Sequence, residues 1–115
     1  MNQLELLRSI GLHDSPIDGM RFDFGDGTES SFIIDFVTFD ESKRDYLQWT
    51  LQLVNLISFC STPIEIASDS DLDFFSFDIA LDGTFKGDML LRTGFAKPLI
   101  TINFECRSFI LSDRQ

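Results

Sequence analysis

The chain has 115 residues, of which 43% are hydrophobic and 24% charged, and its formal net charge is −10. This length suits one domain with a single core, and the composition is that of a folded protein rather than a disordered one. The negative field repels phosphate groups, which argues against binding to nucleic acids or to anionic membranes. It favours a basic protein as partner, although it also simply keeps a Phe-rich domain in solution.

Phenylalanine beside aspartate is the recurring pattern of the chain. Six of the 13 phenylalanines adjoin an aspartate, namely Phe22, Phe24, Phe36, Phe39, Phe74 and Phe77. In an extended strand, neighbouring side chains point to opposite faces, so the pattern predicts sheets with an aromatic inner face and an acidic outer face. A helix would separate neighbours by only about 100° and weaken that contrast.

The N-terminal part predicts a short helix and then a hairpin. Residues 3–10 carry leucine and isoleucine at helical spacing, and Gly11 is a suitable stop. Apolar and polar residues alternate towards Phe24, and the turn Gly25-Asp26-Gly27 follows. The return run over residues 31–39 is apolar on both faces, which is typical of a central strand covered on both sides.

Residues 46–60 have two interpretations. Apolar side chains alternate with polar ones as far as Leu53, which is the period of a strand. At Leu53-Val54 the apolar residues change from odd to even sequence positions, and a β-bulge there would explain the change. A helix over residues 42–60 is the alternative, but it would leave Trp49 and Leu53 off its apolar face. The alternation favours the strand.

The C-terminal half predicts further strands joined by tight turns, of which Asp82-Gly83 is the strongest signal. The apolar segments there cover residues 64–67, 75–81, 85–91, 100–105 and 109–111. We therefore predict a mainly β single domain over residues 1–115, with a short N-terminal helix. Its sheet would form an antiparallel sandwich, a roll or a half-open barrel of about seven strands.

The two cysteines, Cys60 and Cys106, each lie in an apolar run, where a free cysteine behaves as a small buried hydrophobe. A disulfide between them is the alternative. The first residues lack the basic and apolar segments of an export signal, and no run approaches the ~20 apolar residues that span a bilayer. We therefore expect a cytoplasmic protein with reduced thiols.

The sequence contains no recognisable catalytic or metal-binding constellation. Asp69, Asp71 and Asp73 begin like an EF-hand loop, but Phe74 and Ala80 occupy the positions that require Gly and Glu. One histidine and two distant cysteines make a zinc site improbable, and the scattered glycines form no phosphate-binding loop. We therefore expect a protein that is not an enzyme and has no cofactor and no metal.

The segment Leu12-His13-Asp14-Ser15-Pro16-Ile17, after the leucine-rich helix, resembles the opening of small bacterial β-rich domains. Some of these domains are similar to immunity proteins of polymorphic-toxin loci. The run from Leu51 to Ile57 and the Asp82-Gly83 turn also fit this resemblance. It implies a β-rich cytoplasmic protein that binds and neutralises a cognate toxin, and it supplies no catalytic residues.

The leading hypothesis is a protein-binding module with a basic partner such as a toxin domain, because opposite charges speed association. The candidate contact residues are His13, Asp14, Asp40, Glu41, Asp45, Asp69, Asp71 and Asp73. For each of them a purely structural role, a corner hydrogen bond or plain solvation, is the competing explanation.

Two further hypotheses stay open. A curved sheet could bind an apolar small molecule between its aromatic residues Phe22, Phe32, Phe75 and Phe77. The chain could also be a structural subunit that forms a homodimer, because sheets with exposed edges pair readily.

Overall fold

The computed structural model describes residues 3–10, 15–24, 30–62, 71–79, 82–92 and 100–114; for Arg8 and residues 71–79 it describes the backbone alone. The elements are helix α1 (Gln3–Ser9) and strands β1 (Ser15–Asp23), β2 (Ser31–Asp40), β3 (Asp45–Ser61), β4 (Asp71–Ile79), β5 (Phe85–Arg92) and β6 (Ile100–Asp113). The predicted class, mainly β with a short N-terminal helix, is confirmed. Helix α1 has seven residues, and the described part of the chain contains no helix that is long and apolar enough to cross a bilayer.

All strand pairs are antiparallel, and the order β1-β2-β3-β6-β5-β4 closes into a barrel. Closure rests on two pairs between β1 and β4, Ser15 with Leu72 and Pro16 with Asp71. The described residues form six strands rather than about seven, because the two C-terminal apolar runs belong to one long strand, β6. The predicted piece at 64–67, the turn at 25–27 and the stop at Gly11 lie outside the described residues.

The strand interpretation of residues 46–60 is confirmed, because β3 runs through all of them. Leu51 and Leu53 point into the barrel, and beyond them Leu56 packs against the core. Asn55 lies between these positions with φ at 57°, which is the left-handed region. The pairing with β6 shifts by one residue between Leu56 and Ser58. The predicted irregularity therefore exists, but it falls a few residues later than Leu53-Val54.

The core fills the inside of the barrel with side chains from β1, β2, β3, β5 and β6. Fully buried members include Phe32, Leu53, Leu91 and Ile102. Helix α1 adds Leu7, which is also buried, and Leu4, three residues earlier on the same side of the helix, packs against the core. Burial of such side chains provides most of the favourable free energy of folding.

The predicted separation of aromatic and acidic faces holds at some positions and fails at others. It is confirmed at Phe36, which is buried, while the neighbouring Asp35 lies on the outer face. It is wrong for Phe39, which is 52% exposed: Phe36 points inward, so a residue three positions later points outward. Phe22, near the end of β1, and Phe24, just beyond it, are also exposed. The side chains of Phe74 and Phe77 lie outside the described part.

The central strand β2 is therefore covered on both faces only over part of its length. Ile33 on the outer face is buried between the cross-strand neighbours Arg21 and Gln52. Phe39, on the same face near the end of the strand, is not covered. The prediction of cover on both sides was correct in the middle of β2 and wrong at its end.

The turn between β4 and β5 confirms the hairpin signal at Asp82-Gly83. Gly83 has φ at 86°, a conformation that glycine adopts without strain. An Asp82 carboxylate oxygen accepts hydrogen bonds from the backbone N–H and the hydroxyl of Thr84, at 3.2 and 2.8 Å. Those bonds lower the pKa of Asp82, the hydroxyl bond being the larger cause.

The two cysteines differ in environment. Both are free thiols, but Cys60 is exposed whereas Cys106 is buried. The expectation of a buried thiol was therefore wrong for Cys60, which lies on the outer side of β3 near its end. Burial, with a smaller contribution from the charge of Glu105, raises the pKa of Cys106 to about 11.

Candidate protein-binding surface

Three of the predicted contact residues come together where β2 turns into β3. Asp40 pairs with Asp45 as the last pair of the two strands, and Glu41 lies in the exposed turn between them. Arg44 takes a left-handed conformation with φ at 51°, which lets the chain reverse in four residues. We call residues 39–46, which include this turn and the adjoining pair, the β2–β3 tip.

Local hydrogen bonds hold the acidic side chains of the tip. One Asp40 oxygen accepts from the backbone N–H of Ser42 at 3.0 Å and from its hydroxyl at 2.7 Å. These bonds, with that from the Ser42 hydroxyl the largest cause, lower the pKa of Asp40. Asp45 accepts a bond from the N–H of Tyr46 at 2.8 Å. Such bonds are typical of aspartate in turns, so they explain why aspartate occupies these positions without any partner.

The aromatic pair Phe39 and Tyr46 is the feature of the tip that sequence reasoning missed. The two residues face each other across β2 and β3, and their ring centroids are 5.2 Å apart in an edge-to-face arrangement. The rings are 52% and 61% exposed. The alternation of side chains along β2 could have revealed the exposed ring. If Phe32, Ile34 and Phe36 point inward, Phe39 must point outward.

The charge of the tip itself is nearly balanced. Asp40, Glu41 and Asp45 provide three carboxylates, while Lys43 and Arg44 provide two cations in the same turn. Most of the net charge of −10 is therefore carried by the rest of the chain. The tip offers aromatic surface with charged hydrogen-bonding groups around it, and the whole molecule supplies the negative field.

The structure does not place the other five predicted contact residues in this group. His13, Asp14 and Asp69 lie outside the described residues. Asp71 and Asp73 belong to β4, where only the backbone is described. The backbone of Asp71 pairs with Pro16 of β1 and with Arg92 of β5, on a strand that is two strands from β2. Asp73 falls at the register shift between β4 and β5.

A second polar cluster lies on the outer face around Asp35 and was not predicted. Asp35 accepts hydrogen bonds from Thr50 at 2.6 Å and from Arg21 at 2.8 Å. Arg114 approaches it to 3.9 Å and also pairs with Asp18 at 2.8 Å. Partial burial would raise the pKa of Asp35, but the two hydrogen bonds and the charges of the arginines outweigh it and lower the pKa.

This cluster fastens the end of the chain to the barrel. The backbone N–H of Arg114 donates to Gln48, and its guanidinium donates to the carbonyl oxygens of Trp49 and Phe36. Its polar groups are therefore used within the molecule, which makes the cluster a structural element. Across the described residues, no three His, Cys, Asp or Glu side chains lie close enough together to hold a metal ion.

Aromatic rings also gather near the opposite end of β2, around Phe32. Phe22, Phe24, Phe32 and Phe59, which we call the aromatic mouth, contact one another with centroid distances from 4.8 to 6.0 Å. Phe22 and Phe32, two of the rings predicted to line a ligand cavity, touch at 5.1 Å. The side chains of Phe75 and Phe77 lie outside the described part.

The architecture defines a small antiparallel β-barrel that carries an exposed aromatic pair at one hairpin. No protein-family model, curated protein or solved structure matches the chain. The resemblance of residues 12–17 to toxin-immunity proteins therefore stays a prediction.

Proposed function

We propose that the chain is a non-catalytic protein-binding module that holds a basic protein at the β2–β3 tip. The most concrete version is a bacterial immunity protein that neutralises a cognate toxin domain in the cytoplasm. The observation that carries the proposal is the exposed pair Phe39 and Tyr46, surrounded by Asp40, Glu41 and Asp45.

The aromatic pair has the composition of a binding hot spot. Tyrosine buries a large area on binding, loses little conformational entropy and keeps a hydroxyl for a hydrogen bond. Phe39 and Tyr46 already contact each other, so part of the ordering cost is met before a partner arrives. Large exposed rings on the outer face add nothing to the interior of the barrel, which leaves binding as their best explanation.

Charge supports a basic partner rather than a neutral one. A net charge of −10 attracts a positively charged protein over about 8 Å at physiological salt. At the tip, Asp40, Glu41 and Asp45 can then pair with individual lysine or arginine side chains. Lys43 and Arg44 in the same turn limit how strongly the tip alone attracts a cation, so contact with the rings must supply the remaining affinity.

Affinity capture from a lysate of the source cells tests the proposal. The bait is the chain itself, the test variant is Phe39→Ala/Tyr46→Ala, and the control is Ile110→Ala. Ile110 is a similarly exposed apolar residue on the same outer face, opposite Gln52 of β3 and about 20 Å along that strand from Tyr46. Mass spectrometry identifies what each bait retains.

We expect a basic protein on the unmodified bait and on Ile110→Ala, and its loss from the double variant. Raising the salt to about 0.5 M should weaken capture because it screens the charges. Co-expression of the recovered protein should then be toxic without the chain and harmless with it. Equal recovery on all three baits would contradict a binding role for the tip.

A further inference from the structure

The strands of the barrel differ in length, so several of them extend beyond their neighbours. β2 begins at Ser31, which pairs with Val54, whereas β3 continues to Ser61. Within the described residues, residues 57–61 therefore have β6 as their sole strand partner. Alternate residues of such a segment direct N–H and C=O groups away from β6, to a side where the described residues place no strand.

Two other extending edges carry charges or a cover, and the described residues show neither along residues 57–61. Along β1 the open edge includes Asp18, Arg21 and Asp23, charges of the kind that keep sheet edges from pairing. On β6, past the pairing with β5, Gln3 of α1 accepts a hydrogen bond from the N–H of Leu111 at 2.7 Å.

The extending end of β3 has the composition of a pairing strand. The chain contains no Asp, Glu, Lys or Arg from Tyr46 to Ile64, although 24% of all its residues are charged. Ile57 is 45% exposed. The ring of Phe59 lies edge-to-face against Phe22, which is itself 44% exposed, and Phe24, 63% exposed, stacks on Phe22.

We propose that residues 57–61 of β3 pair with the same segment of a second copy, forming a reversible symmetric dimer. Antiparallel pairing of one edge with itself has the twofold symmetry that most homodimers use. A second copy fits because the edge is neutral: it presents no charge to repel an identical edge, while the rest of the molecule would favour a cationic partner elsewhere. The short edge and the three exposed apolar side chains form a small interface, so the dimer is weak.

The negative charge gives the dimer a characteristic salt dependence. Two copies of charge −10 repel each other, and added salt screens the repulsion. The dimer therefore tightens as salt rises, whereas a complex with a basic protein loosens. The proposal is independent of the function of the tip, and the opposite salt dependences distinguish the failure of one from the failure of the other.

Sedimentation equilibrium over a range of concentrations, at about 0.05 and 0.5 M salt, measures the association. The test variant is Ile57→Lys, and the matched control is Ile110→Lys, which makes the same change on an exposed isoleucine of β6. Ser58→Lys, at another exposed position of the same segment, repeats the test if Ile57→Lys does not fold.

We expect dimerisation of the unmodified chain that is stronger at high salt. Ile57→Lys, which places a charge on the edge, should raise the dissociation constant of the dimer at least about tenfold, which corresponds to 1.4 kcal/mol. Ile110→Lys should leave it within about twofold. A chain that stays monomeric up to about 1 mM at both salts would overturn the proposal. Equal weakening by Ile57→Lys and Ile110→Lys would overturn the assignment of the interface to β3. A dimer in which residues 57–61 pair with a different segment of the second copy would overturn it as well.

Cys60 provides an independent readout, because it is exposed within the proposed interface while Cys106 is buried. A bifunctional maleimide about 10 Å long reaches between the two Cys60 thiols when the strands pair with an offset of up to two residues. We expect a crosslinked dimer that disappears in Cys60→Ser and in Ile57→Lys but persists in Ile110→Lys. No crosslink at a concentration where sedimentation detects dimer would place the interface elsewhere.

Discussion

The two exposed aromatic groups of the barrel lie near opposite ends of β2, about 23 Å apart along the strand from Phe32 to Phe39, and relate differently to the core. The aromatic mouth continues the core outward, because Phe32 is fully buried and contacts both Phe22 and Phe59. The pair at the tip, Phe39 and Tyr46, lies on the outer face, where the two rings contact each other and are 52% and 61% exposed. Exposure alone therefore does not identify a binding residue; what the ring contacts beneath it matters more.

The largest effect should come from removing the buried ring of the mouth. Phe32→Ala should lower the free energy of unfolding by about 3–5 kcal/mol, because it leaves a cavity and removes the support of Phe22 and Phe59. Urea denaturation followed by Trp49 fluorescence measures this change. A loss below about 1 kcal/mol would mean that the mouth does not continue the core.

The next largest loss of stability should come from breaking the hydrogen bond between Trp49 and Thr38 inside the β2–β3 hairpin. The indole N–H of Trp49 donates to the buried hydroxyl of Thr38, the residue before Phe39 in β2, at 2.9 Å. Trp49→Phe should cost about 1–2 kcal/mol, since it leaves that hydroxyl without its donor. Thermal denaturation by circular dichroism measures it, and Thr38→Val in the same background should restore part of the loss.

The cluster around Asp35 should have a smaller effect that depends on pH. Because the pKa of Asp35 is lowered by folding, its contribution to stability is present above its usual value near 3.8 and is lost as pH falls through the lowered value. Asp35→Asn should cost about 1 kcal/mol at pH 7 and progressively less below about pH 4. Unfolding curves at pH 7 and pH 3 measure the difference, and an equal cost at both would contradict the assignment.

The smallest effect on stability should come from the tip. Phe39→Ala and Tyr46→Ala should each change the free energy of unfolding by less than about 1 kcal/mol, the range of a cross-strand pair. Urea denaturation of each variant tests this, with Ile110→Ala as a control at an exposed position on the same face. A loss comparable to that of Phe32→Ala would show that the rings serve the fold rather than a partner.

Much of the fold followed from local patterns in the sequence. Alternation identified β3 as a strand, helical spacing identified α1, and Asp82-Gly83 marked its turn. These features depend on residues close together in the chain, so period and turn chemistry are enough to predict them.

The remaining features depend on contacts between distant parts of the chain. The alternation of side chains along a strand places Phe39 on the opposite face of β2 from Phe36. It does not tell whether another element covers the outer face at Phe39. The bond between Arg114 and Asp18 joins residues 96 positions apart. The unequal strand lengths that leave residues 57–61 at an edge follow from the register of three strands together. No local pattern encodes any of these.

The most direct test of the tip is a titration of the chain with the basic protein recovered by capture, comparing the unmodified chain with Phe39→Ala/Tyr46→Ala. Two hot-spot rings predict a loss of affinity of at least about 100-fold, with the unfolding midpoint nearly unchanged and Ile110→Ala binding as the unmodified chain does. Unchanged affinity in the double variant, or a loss matched by Ile110→Ala, would contradict the assignment of the tip as the contact surface.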